Sequence, residues 1–502
     1  MKYLPLLLLL LCACTKKESI PPTDLSQAAL VPIPAEMIPD SGALMINQVF
    51  RLEYQPGIID SQVIDLISQW LTDAGLQISS EGEARLSLEQ GKIDVGVDIN
   101  GLEISENEIT LSAGDVSGLI HAAQTLRQLL LTKPDSVRYL PTGKISDSPR
   151  FAYRGFMLDV SRHFFPPETV MQIIDYLSLY KFNYLHLHLS DDQGWRLEIK
   201  AYPRLTEIGG STEVGGGPGG FYTQEDYLAL QEYALLRGIT IVPEFDLPGH
   251  TNAALASYAE LNCDGKAREL YTGTDVGFSS LCVGKEYVYE FLDTMLAEVA
   301  QITKGPYIHI GGDEVHTLSQ SEYNGFIEQV ASLVSKHDKK IIGWDEIAQA
   351  ELPDGAVAQY WNFAENAKAA VAQGNQLIFS PATHAYLDMK YDSTTELGLS
   401  WAGYTDLADA YNWDPLGMVE GVEADDILGI EAPLWSETIE DLDDIEYMLF
   451  PRIAAISEVA WSSRDFEAKT YAGGNLFTDF ERRLLLHQKY WDEIELNYHK
   501  WK

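Results

Sequence analysis

The hydrophobic and polar positions after residue 148 repeat one pattern: a short apolar run ends in a polar or aromatic residue, and a loop and an amphipathic stretch follow. The runs have strand length, and stretches such as PETVMQIIDYLSLYKF have apolar residues at helical spacing. The runs are YRGFMLDV, YLHLHLS, ITIVPEF, YIHIGG, KIIGW, AVAQYW, QLIFS and GIEAPLW. Eight strand–helix units predict an α/β fold, a (β/α)8 TIM barrel over residues 149–502 with additional C-terminal helices.

Residues 31–148 have a different, mixed pattern. Alternating runs such as ARLSLEQ and GLEISENEITLSA predict strands, whereas SQVIDLISQWLTDAG and DVSGLIHAAQTLRQLLL predict helices. Strands and helices that interleave around one small core are typical of an α+β domain. This segment contains one tryptophan, Trp70, and the others lie after residue 148, so we expect the chemistry in the barrel.

The first residues, MKYLPLLLLLLCACTKKES, have a basic start, a leucine-rich centre too short to span a membrane, and small residues before Cys14. LCAC resembles a bacterial lipobox, which predicts a lipoprotein signal peptide over residues 1–14 and lipidation of Cys14. Cys12 is a less favoured site, and an ordinary cleaved signal peptide is the alternative. Residues 15–30, polar with paired prolines, are predicted to be a surface tether.

The signal predicts an exported protein, lipid-anchored to a bacterial membrane in the periplasm or on the cell surface. Thr15 after the modified cysteine, in place of Asp, favours an outer membrane where the host has one. In an exported protein the two later cysteines, an even pair separated by a short loop, are most simply a disulfide between Cys263 and Cys282. Two free buried thiols are the alternative.

The composition allows a large core, because 46% of the 502 residues are hydrophobic and 11% are aromatic. The formal net charge of −40, from 75 acids and 35 bases, repels nucleic acid and anionic membrane surfaces. We therefore expect no nucleic-acid partner, and membrane contact only through the lipid anchor. A neutral or cationic small molecule suits this charge, although solubility, for example in a saline habitat, is the simpler explanation. No sequence feature indicates the oligomeric state.

The active site of a (β/α)8 barrel lies at the C-terminal ends of its strands, and those positions carry polar or aromatic residues here. One such residue alone would most simply be a satisfied core group, but convergence from eight strands indicates a shared pocket. Carboxylates, an arginine and several tryptophans favour a sugar, because hydroxyls bind charged groups and pyranose faces stack on aromatic rings. The residues are Asp159, Arg162, Asp191, Asp192, Asp246, His250, Asp313, Glu314, Trp344, Trp361, Tyr386, Asp388, Trp435 and Glu437.

The stretch YIHIGGDEVH, residues 307–316, places two neighbouring carboxylates, Asp313 and Glu314, after a strand. Paired carboxylates in a cleft push their pKa values apart, as acid catalysis near neutral pH requires. The two preceding glycines allow the chain to turn, so that both side chains can face one substrate. A zinc site formed by His309 and His316 is disfavoured, since helical metalloproteases space their histidines as H-E-x-x-H. A solvated acidic turn would explain one acid better than two.

Seven motifs resemble, in the same order, those of the family 20 glycoside hydrolases, the β-N-acetylhexosaminidases. They are RGFMLDVSRHFFP, YLHLHLSDDQGW, PEFDLPGH, HIGGDEVH, YLDMKY, LGLSWAGY and EAPLWSET. LNCDG and SSLCVGKE also resemble a disulfide-bearing loop of bacterial members, which supports pairing of Cys263 with Cys282. The resemblance implies a retaining exo-enzyme without cofactor or metal. Its expected partners are oligosaccharides ending in N-acetylhexosamine, from which it releases non-reducing GlcNAc, and also GalNAc, as in chitooligosaccharides or other glycans.

The resemblance also implies a mechanism in which no enzyme carboxylate attacks the sugar. Glu314 is implied to protonate the glycosidic oxygen and later to activate water. The substrate's own 2-acetamido oxygen attacks C1 and forms an oxazolinium intermediate, which water opens with net retention. Asp313 is implied to bind the acetamido N–H and to stabilise the positive charge that develops on the group.

The other motif positions are implied to bind the sugar. Arg162 and Glu437 hold the C3, C4 and C6 hydroxyls, and Asp388 lies on the C6 side. The residues implied to support Glu314 and the hydroxyl contacts are Asp191, Asp246 and His250. The side chains implied to box the N-acetyl methyl are Trp344, Trp361 and Trp435, with Tyr386 on the acetyl oxygen and Trp401 stacked on the leaving sugar.

Two other functions fit the pattern less well. A family member that removes a disaccharide, such as lacto-N-biose, needs a more open pocket than Arg162 and Glu437 imply. A sugar-binding lipoprotein without catalysis would have lost an acid or the aromatic box, and neither is lost. GlcNAc and GalNAc differ only at C4, so the motifs do not distinguish between them.

Overall fold

The computed structural model describes residues 24–91, 98–134, 136–463 and 476–502. Cys12, Cys14, the predicted signal peptide and the first part of the predicted tether lie outside the described residues. Over the ranges described, no helix is long and apolar enough to cross a membrane.

A seven-stranded sheet forms the N-terminal part of the protein, in the order β1-β7-β5-β6-β4-β2-β3. Its strands are β1 (Glu36–Met45), β2 (Val49–Tyr54), β3 (Gln77–Ile78), β4 (Ala84–Gln90), β5 (Asn100–Ile104), β6 (Glu108–Ala113) and β7 (Tyr139–Asp147). Two helices, α1 (Ser61–Asp73) and α2 (Val116–Leu131), bury their apolar residues in the same hydrophobic cluster as the sheet. Asp115 caps α2 by accepting a hydrogen bond from the Gly118 amide. The predicted small α+β domain is confirmed.

Residues 25–30, which the sequence analysis placed in the tether, are packed against the protein. Leu25 and Leu30 are buried in the cluster of the N-terminal domain. The backbone carbonyl of Leu30 accepts a hydrogen bond from Arg483, and that of Ala29 lies 2.8 Å from Nε2 of His487. The tether prediction is therefore wrong for these residues, because their apolar side chains favour burial over exposure.

Eight parallel strands close into a barrel, in the order β10-β11-β12-β13-β14-β15-β8-β9. They are β8 (Tyr153–Asp159), β9 (Tyr184–His188), β10 (Thr240–Glu244), β11 (Tyr307–His309), β12 (Lys340–Trp344), β13 (Val357–Tyr360), β14 (Gln376–Phe379) and β15 (Ile427–Leu434). Each strand falls on one of the eight apolar runs, so the predicted (β/α)8 barrel is confirmed.

Helices cover the outside of the barrel and bury their apolar faces against it. They are α3 (Pro167–Leu179), α4 (Arg204–Glu207), α5 (Gln224–Leu235), α6 (Asn252–Ser257), α7 (Glu286–Ile302), α8 (Gln320–Lys336), α9 (Ala364–Ala372), α10 (Leu407–Tyr411), α11 (Leu442–Leu449), α12 (Arg452–Trp461) and α13 (Leu476–Glu493). Helices α5 and α8 begin with capping boxes, formed by Thr223 with Asp226 and by Ser319 with Glu322.

Buried ion pairs join the N-terminal domain to the N-terminal side of the barrel. Arg154 on β8 binds Asp98 at 2.7 Å, and Lys181 binds Asp147 at 2.7 Å. The indole of Trp461 donates to the same Asp147 at 2.9 Å. The small domain therefore packs against the N-terminal ends of the barrel strands. The C-terminal ends of the strands remain free to form a site.

Candidate active site

A cavity of about 480 Å³ opens at the C-terminal ends of the barrel strands. The loops after most of the strands contribute to its wall, as expected for the active site of this fold. The predicted site residues that line it are Arg162, Asp313, Glu314, Trp361, Tyr386, Asp388, Trp401, Trp435 and Glu437. The others are buried outside this lining: Asp159, Asp191, Asp192, Asp246, His250 and Trp344.

The turn after β11 brings both acids to the cavity. The predicted strand YIHIGG ends earlier, at His309, because Gly311 and Gly312 have φ values of 66° and 101°, in the region that favours glycine. Glu314 has a φ of 51°. Neighbouring side chains on a regular strand would point to opposite faces, whereas this turn directs Asp313 and Glu314 to one side.

Glu314 is held by His250, which is buried. His250 Nε2 lies 3.6 Å from Oε2 of Glu314, and its Nδ1 lies 3.3 Å from Oδ1 of Asp191. Burial alone would lower the pKa of His250, but the charges of Asp191 and Asp246 raise it well above its usual value, so the ring is a cation. Burial alone would raise the pKa of Glu314, but the contact with His250 and its charge, with the charge of Arg162, lower it.

Asp313 has the opposite shift. Burial, together with the charges of Glu314 and Glu244, raises the pKa of Asp313 to about 6, although His250 at 3.8 Å opposes this. The neighbouring Asp246 accepts the Gly312 amide at 3.1 Å, and burial and the charge of Asp313 raise its pKa well above the usual value. The two neighbouring acids therefore have opposite pKa shifts, and the pair holds a shared proton on Asp313 in preference to Glu314.

The side of the cavity formed by Arg162, Asp388 and Glu437 carries polar atoms without hydrogen-bond partners in the protein. Arg162 is fixed by Asp191 at 2.9 Å and by Asp159 at 3.5 Å, and Asp159 also accepts the Ser436 amide. Among the described residues, Arg162 Nε, Glu437 Oε2 and both carboxylate oxygens of Asp388 have no hydrogen-bond partner of good geometry. Burial raises the pKa of Asp388 and of Glu437. Unsatisfied buried groups that face a cavity are suited to the hydroxyls of a ligand.

Aromatic rings form the opposite wall. Tyr386 stacks on Trp361 with ring centroids 6.4 Å apart, and Trp401 meets both rings edge-on at the rim. Trp435 packs against Trp344, at 5.6 Å, and also supports the Arg162 guanidinium, whose carbon lies 4.7 Å from the indole centroid. Trp344 is buried and lies behind this wall. The wall presents apolar faces to a ring and its substituent.

The sequence analysis missed several residues that line the cavity. Glu346 accepts a hydrogen bond from the Trp361 indole at 3.1 Å, and burial and the charges of Asp345 and Asp313 raise its pKa well above the usual value. The sequence did contain a signal for Glu346, because this residue lies two positions after the end of β12. The other missed residues are Thr274, Val276, His316, Asn362, Phe363 and Leu399. His316 and Leu399 belong to the motifs HIGGDEVH and LGLSWAGY, whereas the other four lie outside the quoted motifs and depend on how the loops fold.

Two further features concern metal binding and the cysteines. Ligand atoms of Asp246, His250 and Asp313 lie within 4.8 Å of one another and could hold a divalent cation. The same three groups are already paired by charge with each other and with Glu314, and the prediction that catalysis needs no metal remains to be tested. A disulfide joins Cys263 to Cys282, and the loop that it closes carries Thr274 and Val276 to the cavity.

Comparison with known proteins gives consistent matches. The profile described as glycosyl hydrolase family 20, catalytic domain, matches residues 151–464, and that of domain 2 of the family matches residues 27–148. A β-N-acetylhexosaminidase of Cellulomonas fimi is 42% identical over 404 residues, which cover 79% of this chain and 79% of that protein.

Two solved structures have the same fold as this chain. The family 20 β-N-acetylhexosaminidase of Streptomyces coelicolor A3(2) has a TM-score of 0.86 at 41% identity, covering 95% of this chain and 98% of that one. A mutant β-hexosaminidase of Streptomyces plicatus, in complex with its product GlcNAc, has a TM-score of 0.86 at 42% identity, covering 95% and 97% of the two chains.

Proposed function

Because this chain belongs to glycosyl hydrolase family 20 and is a glycoside hydrolase of the β-N-acetylhexosaminidase type, we propose that it releases terminal GlcNAc by substrate-assisted catalysis, with Glu314 as proton donor and Asp313 as partner of the acetamido group. The single observation that carries the assignment of roles is the turn after β11. It places two carboxylates with opposite pKa shifts at one cavity, against an aromatic wall.

In the first step Glu314 gives its proton to the glycosidic oxygen as the bond to C1 breaks. The acetamido oxygen attacks C1 from the opposite face and closes the oxazolinium ring, and the leaving sugar departs as an alcohol. Asp313 accepts the acetamido N–H and offsets the positive charge of the ring. In the second step Glu314 takes a proton from water, which attacks C1, reopens the ring and restores the acetamido group with net retention.

Substrate binding prepares the acid pair for this role. The Glu314 side chain is 32% exposed to the cavity, so a sugar that covers it removes water and raises its pKa. The acetamido N–H favours the charged form of Asp313 and lowers the pKa of that group. Both effects move the shared proton from Asp313 to Glu314, where the first step needs it.

Sugar recognition would divide between the two ends of the cavity. Arg162, Glu437 and Asp388 offer charged or polar groups to the C3, C4 and C6 hydroxyls, and these contacts fit a non-reducing terminal residue. The N-acetyl methyl would lie against Trp361 and Trp435, which line the cavity, with Tyr386 donating to the acetyl oxygen. Trp344, which the motifs also implied in this box, would support Trp435 from behind. Both GlcNAc and GalNAc are candidate sugars, and the expected natural substrates are chitooligosaccharides or other glycans.

The test uses the purified protein and nitrophenyl β-glycosides of GlcNAc, GalNAc and glucose, each with and without a thiazoline inhibitor. Cleavage of the N-acetyl sugars only, blocked by this mimic of the oxazolinium ring, is the expected result. Cleavage of the glucoside at a comparable rate would contradict substrate assistance. Inhibitor binding without any cleavage would favour a disaccharide-releasing enzyme or a sugar-binding lipoprotein, and a lacto-N-biose glycoside distinguishes these two.

We also propose that the protein is exported and lipid-anchored through Cys14, on the sequence evidence of the LCAC motif. Expression of the full chain in a bacterial host, followed by detergent-phase partition and membrane fractionation, tests this. Cys14→Ser should move the protein to the soluble fraction, whereas Cys12→Ser should leave it in the membrane. Membrane retention of the Cys14 variant would contradict the anchor.

A further inference from the structure

Glu244 lies at the end of β10, in the interior of the barrel and below the cavity, and it is completely buried. Four side chains converge on its carboxylate. Oε2 lies 2.5 Å from His188 Nδ1 and 2.9 Å from His186 Nε2. Oε1 lies 3.0 Å from His309 Nδ1 and accepts the Trp344 indole at 3.0 Å. A buried carboxylate with hydrogen bonds to His188 and Trp344 and close contacts to His186 and His309 is held in one geometry, and it holds His188 and Trp344 in turn.

The first connection runs from Glu244 to the proton donor. His188 Nε2 lies 2.9 Å from Asp191 Oδ2, and Asp191 contacts His250, which contacts Glu314. Acidic and imidazole groups alternate along this path without a gap. A displacement of Glu244 therefore reaches Glu314 through three intervening side chains, all of which are buried.

The second connection runs from Glu244 to the aromatic wall. The Trp344 indole N–H points to Glu244, and the Trp344 ring packs on Trp435. Trp435 in turn carries the guanidinium of Arg162, and His188 meets the same Trp435 ring edge-on at 4.9 Å. Glu244 thus contacts His188, on the route to Glu314, and Trp344, on the route to the aromatic wall.

Below Glu244 the network continues to the floor of the barrel. His186 Nδ1 lies 2.9 Å from Glu431 on β15, which also accepts hydrogen bonds from Tyr153 and Gln359. Burial would raise the pKa of Glu244, but the three histidines lower it well below the usual value, so Glu244 is charged. Burial would lower the pKa of His186, but Glu431 and Glu244 raise it to about 9. Burial lowers the pKa of the third histidine, His309, so the charged contacts of the network are those of Glu244 and Glu431 with His186 and His188.

We propose that Glu244 is a positioning residue that couples the proton donor to the acetamido-binding wall, by holding His188 and Trp344 at the same time. This inference rests on the proposed function of Glu314 and Asp313. Glu244 does not line the cavity and does not touch the substrate. It acts through the two side chains that it fixes, so its loss should disturb acid catalysis and acetamido binding together.

The main test is Glu244→Gln, which keeps the volume and removes the charge. We expect kcat/KM for nitrophenyl β-GlcNAc to fall about 10- to 100-fold, the usual effect of removing a buried group that orients a reacting one. We also expect a displaced pH profile of kcat/KM and weaker binding of the thiazoline inhibitor. The Tm of each variant, and its binding of the inhibitor by calorimetry, are measured in parallel.

The matched control is Glu431→Gln, which removes the same charge from the same barrel interior but contacts neither His188 nor Trp344. We expect it to lower the Tm while affecting inhibitor affinity and the pH profile less than Glu244→Gln does. Equal effects of the two variants on both readouts, or a Glu244→Gln enzyme with only a lower Tm, would overturn the proposal.

Trp344→Phe gives a second test, by itself where Glu244→Gln folds poorly and in a double-variant cycle where it folds. Trp344→Phe keeps a packed ring and removes the indole donor, so alone it should weaken inhibitor binding and leave the pH profile in place. Combined with Glu244→Gln, its effect on inhibitor affinity should be less than additive, because both changes break one hydrogen bond. Full additivity would contradict coupling through Trp344. A fully active Glu314→Gln enzyme would instead refute the proposed function itself.

Discussion

His250 Nε2 lies 3.6 Å from Oε2 of Glu314, and this contact lowers the pKa of Glu314 while burial raises that of the neighbouring Asp313. The imidazolium stabilises the Glu314 carboxylate, so Asp313 keeps the proton at mildly acidic pH. The catalytic distribution, with the proton on Glu314 and the charge on Asp313, is therefore the minor one until a substrate arrives.

Replacement of His250 by Asn should move the basic limb of the kcat/KM profile to higher pH. In the proposed mechanism the acid pair must hold one proton, so activity falls as the pH rises and that proton is lost. His250 lowers the pKa of both Asp313 and Glu314, so loss of its charge raises both pKa values. His316→Asn is the control, because His316 also lowers the pKa of Glu314 but with a smaller effect. A basic limb that stays in place in His250→Asn, or moves to lower pH, would contradict this account.

Replacement of Glu314 by Gln should reduce kcat at least about a hundredfold on nitrophenyl β-GlcNAc, because general acid catalysis is lost. The loss should be smaller with a dinitrophenyl leaving group, which departs without protonation. Steady-state kinetics on the two glycosides measure the difference. An equal loss on both substrates would argue against proton donation by Glu314.

Replacement of Asp313 by Asn should remove the acid limb of the kcat/KM profile. In the proposed mechanism Asp313 must be ionised while Glu314 carries the proton. The pKa of Asp313, about 6, lies above the lowered pKa of Glu314, so wild-type activity should fall above about pH 6, where the pair loses its single proton, and again at more acidic pH, where both acids are protonated. The Asn variant cannot be protonated at position 313, so the loss of activity at acidic pH should disappear. An Asn variant with full activity and an unchanged acid limb would rule out this role.

Replacement of Trp401 by Ala should raise KM for chitobiose and longer oligosaccharides about 2- to 10-fold, as expected from about 0.5–1.5 kcal/mol of aromatic stacking. Trp401 is 54% exposed and lines the cavity rim, where a leaving sugar would stack. Tyr404→Ala is the matched control, since Tyr404 is 52% exposed and is not part of the cavity lining. The same KM change in both variants would show that the effect is not specific to the rim.

Strand positions were predictable from the sequence because each buried parallel strand is a short apolar run with a polar or aromatic residue at its end. The cavity residues on those ends, Arg162 and Glu437 among them, could be predicted for the same reason, although their roles remain predictions. Glu346 was missed because it belongs to a 3₁₀ turn, Asp345–Gln349, and its approach to Trp361 depends on how that turn folds.

The order of the pKa values within the acid pair could not be predicted either. Sequence reasoning predicts that adjacent carboxylates differ, but the sign depends on whether His250 lies nearer to Glu314 or to Asp313. The distances of 3.6 and 3.8 Å are similar, and the outcome also depends on the burial of Asp313 and on Asp246 behind it. These are properties of packing between β10 and β11, which are distant in sequence.

The packed segment from Leu25 to Leu30 limits the freedom of the enzyme relative to a membrane. A lipid on Cys14 would leave only residues 15–24 before Leu25, which is buried in the N-terminal domain. Ten residues span at most about 35 Å when fully extended. The barrel would then stay within a short distance of the bilayer. We therefore expect its substrates to be soluble fragments that diffuse to the membrane surface, instead of polymers farther away.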